Sequence, residues 1–137
     1  MRPECLVLAI LAAPAWAQEP TDPPSIEAGQ AVYSVFCESC HGPAGHGDGD
    51  FADLLSVPPA DLTGLTARAG GTFPEMEVMQ QIDGRAEVRG HGVIMPVFGP
   101  LFDVEVAIGK TDSGQPVVTS RSIADLTAWI ESIQATE

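Results

Sequence analysis

Positive charge is what this chain of 137 residues has least of. Six lysines and arginines face 19 aspartates and glutamates, a formal net charge of −13, and the one lysine is Lys110. Such a surface repels phosphate backbones and anionic lipid, which excludes nucleic acid and membrane headgroups as partners. It favours a partner with a basic docking patch, in an association that weakens as salt rises. Long apolar runs are missing too. Leu6 to Ala13 falls well short of the roughly 20 residues a membrane-spanning helix needs. Cysteine is scarce, with Cys5, Cys37 and Cys40 making up the three in the chain. No second Cys/His pair follows to complete a zinc site.

The first residues read as a secretory signal peptide, 1–17. Met1-Arg2 is a short positive start, the apolar run follows, and Ala15-Trp16-Ala17 is an A-x-A cleavage site. Cys5 lies at the front of this segment, before the apolar run, so it is lost with it and is not a lipid-attachment cysteine. The expected product is an exported protein, in the periplasm of a Gram-negative bacterium, and not an integral membrane protein after cleavage. Residues 18–24 (QEPTDPP) are polar and proline-rich, a flexible lead-in to one domain over 25–137.

What the domain does have is Cys37-Glu38-Ser39-Cys40-His41. This is C-x-x-C-H, the arrangement that attaches haem covalently. Two thiols at this spacing can add to the two vinyl groups on one edge of a porphyrin. The histidine directly after is then held beneath the iron, where a neutral imidazole nitrogen ligates it. A thiol redox site would sit at a helix start after a strand, and no βαβ pattern precedes Cys37. A disulfide would close a loop too small to stabilise the fold much. The cofactor expected is haem c, one per chain.

Helical patterns bracket the chain. Ser25-Ile26-Glu27-Ala28 opens a helix in which Ile26, Gly29, Tyr33 and Phe36 recur at helical spacing, running straight into the cysteines. Glycine inside a helix costs about 1 kcal/mol against alanine, so Gly29 needs a packing reason such as a close helix crossing. Near the other end, Ser122-Ile123-Ala124-Asp125 resembles a capping box. Ile123, Leu126, Ile130 and Ile133 form an apolar stripe with Trp129 beside it. Between them the pattern is too sparse for an independent core, and a cofactor the size of haem would supply the missing apolar centre.

The glycines from Gly42 to Gly49 make a loop, and the order of Asp48, Asp50 and Asp53 does not fit an EF-hand, so those carboxylates read as solvated. Phe51 to Leu55 suggests a short helical turn. Val57 to Leu62, with Pro58 and Pro59, is a rigid extended piece with Leu62 and Leu65 facing inward. Thr72-Phe73-Pro74-Glu75 reads as a capping box for a middle helix that Gly84 ends. Residues 103–119 alternate and turn like a small β-hairpin.

An electron-carrying low-spin haem needs a sixth ligand, and Met95 is the candidate. It sits in a loop flanked by proline and glycine with no helical stripe to join, whereas Met76 and Met79 lie at helical spacing and read as core filler. Phe98 is placed to pack against the ring. His91 is the competitor, which would give a bis-histidine haem, and His46 a weaker one. An open position would instead suit a sensor or binder of small ligands. Nothing near Met95 signals peroxide activation, for which Arg89 and His91 would have to serve.

In order, these features resemble the class I c-type cytochromes, small single-haem electron carriers. The match runs over residues 25–100 and 121–135: a helix with Gly29 and Tyr33, the Cys37/Cys40/His41 motif, a glycine-rich loop, a proline segment with Leu62, Met95-Pro96, and a last helix with Trp129. The resemblance implies a mainly α cytochrome c fold with N- and C-terminal helices crossing around the haem, Gly29 and Tyr33 meeting Leu126 and Trp129. It implies that a proline carbonyl, Pro59 or Pro58, orients His41. It implies a monomeric carrier shuttling single electrons between redox proteins, not an enzyme; a cytochrome subunit of a larger periplasmic oxidoreductase is the alternative. Residues 101–120 exceed the family's usual spacing.

Overall fold

A computed structural model describes residues 22–85, 95–102, 106–110 and 116–135. The expected signal peptide (1–17), the start of the expected lead-in, His91 and Arg89 lie outside them. Among the described residues the order is α1 (Ile26–Phe36), α2 (Glu38–His41), a 3-10 turn (Ala52–Leu54), α3 (Leu65–Arg68), α4 (Glu75–Asp83), α5 (Gly99–Phe102), β1 (Val106–Lys110), β2 (Pro116–Ser120) and α6 (Arg121–Ser132). The fold is mainly α with one small antiparallel hairpin. None of these helices is long and apolar enough to cross a membrane.

The frame is the seam between α1 and α6. Ser25 holds an extended backbone, and its hydroxyl accepts from the Ala28 N–H at 3.2 Å, capping α1 as its side-chain chemistry favours. Gly29 and Tyr33 are the buried residues of α1. A Cβ on Gly29 would lie 2.5 Å from the Asp125 carbonyl carbon and 2.9 Å from the Trp129 Cβ. Backbone therefore meets backbone here, which answers the glycine's cost. One turn on, the rings of Tyr33 and Trp129 stand 4.0 Å apart at 35°. The expected crossing is present, with Asp125 rather than Leu126 against the glycine.

Asp125 is a buried carboxylate, only 6% exposed, and such a charge needs partners. It accepts from the Ser25 N–H at 2.7 Å and pairs with Arg121 at 3.3 Å. The same guanidinium donates to the carbonyls of Asp22 at 2.8 Å and Pro23 at 3.1 Å. The lead-in is thus tied down at its inner end.

The cap of α6 lies two residues before the expected one, and the helix begins at Arg121. The last residue of β2, Ser120, still has strand-like backbone (φ −76°, ψ 152°), which aims its hydroxyl at the Ile123 N–H. Ser122 is left as an ordinary helical residue. Replacing Ser120 by alanine is expected to cost about 1 kcal/mol, typical of a lost cap, read as a drop of a few degrees in thermal midpoint.

The middle of the chain builds more core than its sparse pattern suggests. Phe73, Val78, Met79, Ile82, Phe98 and Phe102 join Tyr33, Ile123, Leu126, Trp129 and Ile130 in one buried cluster. The capping box at Thr72 does not form, because Glu75 is itself the first helical residue and Pro74 takes the cap position. Gly84 does end α4, at φ +85°. In the hairpin, Ala107 pairs with Thr119 and both are buried, while Val106 and Val118 face outward. The hairpin's turn and residues 103–105 lie outside the described residues.

Candidate functional site

The motif occupies a single tight turn. Cys37 both closes α1 and opens α2: its N–H donates to Tyr33 O at 2.8 Å, and its carbonyl accepts from Cys40 at 3.1 Å and His41 at 2.9 Å. Both thiols are free and half-buried. Burial pushes the Cys37 thiol up to about 12, with the neighbouring Cys40 adding to the shift.

The following loop is wound back onto this turn by its backbone. Gly47 N–H donates to His41 O at 2.8 Å, Gly49 to Cys40 O at 3.1 Å, and Phe51 to Ser39 O at 2.8 Å. Gly47 has φ +82°, and a Cβ there would lie 2.5 Å from Pro59 O, so neither its conformation nor its space admits a side chain. The glycines serve close packing as well as turning.

His41 Nδ1 stands 2.9 Å from the carbonyl oxygen of Ala60. A carbonyl only accepts, so Nδ1 carries the proton, and Nε2 of the neutral ring keeps the lone pair a metal needs. The orienting carbonyl is therefore that of Ala60, not Pro59 or Pro58; the Pro59 carbonyl is turned to Gly47 instead. Asp61 stiffens the next step, its carboxylate accepting from Thr63 N–H at 2.8 Å and Thr63 Oγ1 at 2.7 Å. Those bonds, more than His46 at 3.6 Å, hold its carboxyl below the usual range. Neither Ala60 nor this turn was singled out in the sequence. Two prolines announce a rigid segment but not its register.

Tyr33 ties α1 to the loop, its hydroxyl donating to Gly42 O at 2.5 Å inside the protein. Burial first, then the negative charges of Cys37, Glu38 and Asp48, raise its pKa above the ordinary tyrosine value of 10.0. A group raised on folding stabilises fully below its unfolded pKa and loses that contribution as pH climbs toward its folded one. The native protein is thus expected to weaken above pH 10.0. Tyr33→Phe should flatten that alkaline limb while costing about 1 kcal/mol at neutral pH, and denaturant titrations at several pH values would show both.

Cys37, Leu62, Leu65 and Met95 all pack against the buried cluster from its margin. The Met95 segment is held by the end of α4: Phe98 N–H donates to Ile82 O at 3.0 Å, and Val97 and Gly99 close against Gly84 and Asp83. Phe98 is buried, stacking on Phe102 at 5.7 Å and meeting Phe36 edge-on at 6.1 Å. Met79 is buried, as core filler should be.

The cytochrome c family model matches residues 26–134. A search of curated proteins found no match. Among solved structures, a chain of the reducing HAO-like protein complex of Kuenenia stuttgartiensis is similar in fold, with TM-score 0.55 and 21% identity over 86% of this chain. This chain spans 48% of that one's length. The chain belongs to the cytochrome c family. It is a c-type cytochrome, a class that carries haem c covalently and works by electron transfer.

The local chemistry fits that group. Two unpaired thiols and an imidazole with its metal-binding nitrogen free lie on one turn, at the margin of an apolar core. When bound, haem supplies an iron that gains and loses one electron without making or breaking bonds.

Proposed function

We propose that this protein is an exported class I cytochrome with one haem per chain, joined at Cys37 and Cys40 and ligated by His41 and Met95. It shuttles single electrons in the periplasm as a monomer, between redox proteins that present a basic patch. The observation that carries the reading is the 2.9 Å contact between His41 Nδ1 and Ala60 O. It fixes the tautomer and leaves Nε2 for iron, which a merely exposed histidine would not require.

Reading the cysteines as a thiol oxidoreductase fits less well. A reactive thiol there needs a lowered pKa, whereas burial moves Cys37 in the opposite direction. A second reading, a subunit of a larger oxidoreductase, draws support from the similar chain's place in a protein complex.

The test is a visible spectrum of the purified protein, oxidised and reduced, together with haem staining after denaturation. A stained band and a low-spin spectrum indifferent to carbon monoxide are expected. High-spin bands and ready carbon monoxide binding would replace the carrier by a small-ligand binder. An unstained band would remove the covalent haem altogether.

A further inference from the structure

Residues 49–55 form a succession of tight turns. Ala52 N–H donates to Gly49 O at 2.8 Å, Leu54 to Phe51 O at 3.1 Å, and Leu55 to Ala52 O at 3.2 Å. In such 3-10 geometry, side chains three apart eclipse and form rows. One row is Phe51 and Leu54, 54% and 79% exposed. The next is Asp50 and Asp53, both exposed. The third, Ala52 with Leu55, is turned partly inward. Leu54 is the most exposed of the large apolar side chains described, and the fold gives it nothing to cover.

The ridge is not free to swing. Phe51 and Gly49 donate backbone hydrogen bonds to Ser39 and Cys40, the middle of the haem-attaching turn. The chain around it is uniformly anionic: no lysine or arginine occurs between Arg2 and Arg68, while Glu38, Asp48, Asp50, Asp53 and Asp61 all fall within that span.

We infer that the Phe51/Leu54 row with the Asp50/Asp53 row beside it is the docking ridge for a redox protein whose contact face is an apolar hollow flanked by lysine or arginine. The inference rests on the haem reading above. The acidic row gathers the cationic partner and sets the encounter rate, and the apolar row fixes the docked pose. Because the ridge is hydrogen-bonded to Ser39 and Cys40, that pose brings the partner against the turn that bears the haem.

The experiment uses the haem-loaded protein, reduced, in stopped flow against two oxidants: a lysine-rich cationic cytochrome c and hexaammineruthenium(III), a small cation. Asp50→Asn/Asp53→Asn should slow both reactions several-fold at low ionic strength and flatten the salt dependence. Leu54→Ser should slow the protein reaction several-fold at every salt concentration and leave the small cation's rate unchanged. An unaltered thermal midpoint would confirm that so exposed a position perturbs no packing. Wild-type rates for both variants with the protein oxidant, haem spectrum intact, would overturn the docking ridge alone. Absence of covalent haem from the wild type would overturn the haem reading, and this one with it.

Discussion

Met95→Ala is expected to erase the weak red charge-transfer band of thioether-bound ferric haem and to lower the reduction potential. A thioether is a soft, weak donor that favours ferrous iron, so its loss destabilises the reduced state. Axial ligands move haem potentials over about 0.8 V in all, and a fall on the order of 0.1–0.3 V is a reasonable share. For one electron that is about 2–7 kcal/mol. The segment itself should stay in place. Its anchors are the Phe98–Ile82 hydrogen bond and the closures of Val97 on Gly84 and Gly99 on Asp83, none of which uses the methionine side chain. Carbon monoxide should then bind the ferrous variant. Persistence of the band would hand the sixth position to another methionine, Met76 or Met79, whereas its absence from the parent protein would hand it to another group, His91 first.

Gly29→Ala carries the second large effect, and its sign opposes helix propensity. In an exposed helix the change would stabilise by about 1 kcal/mol. Here the new methyl overlaps the Asp125 carbonyl and lies 2.9 Å from the Trp129 Cβ. A backbone carbonyl cannot turn aside, so α1 and α6 must part. That loosens the Tyr33–Trp129 pair and the Ser25–Asp125 bond together. Overpacking of this kind costs about 3 kcal/mol, enough to lower the thermal midpoint by about 10 °C. Gln30→Ala, at the exposed neighbouring position, is the control and should be neutral or mildly stabilising. A Gly29→Ala protein as stable as the parent would show that the seam is looser than drawn.

How much of this was legible beforehand follows from where the physics is local. The motif announces itself because its chemistry sits in five consecutive residues. The terminal helices are legible because Ile26, Gly29, Tyr33 and Phe36 in one, and Ile123, Leu126, Ile130 and Ile133 in the other, recur at helical spacing, and Gly29 because it breaks propensity without local reason. Boundaries set by neighbouring elements were not. Ser120 caps α6 because a strand delivers it there, while the Thr72 box fails because the helix starts at its far end. The Ala60 carbonyl was missed by one residue, since which of three successive carbonyls faces His41 depends on how Gly47 closes on Pro59. The aromatic cluster of Phe36, Phe98 and Phe102 was hidden for another reason. Phe98 and Phe102 share one short turn, but Phe36 reaches them from α1, and only tertiary contact assembles the group.

The Ser25–Asp125 hydrogen bond joins positions 100 residues apart. Closing so long a loop is entropically slow, and α1 cannot find its seat until α6 exists. A chain whose α6 has not yet folded therefore presents Cys37 and Cys40 in the open, at the end of a helix with no partner. Their burial belongs to the last step of folding. The interval before the ends meet is when the two thiols are most accessible, and closure then seals whatever has been joined to them.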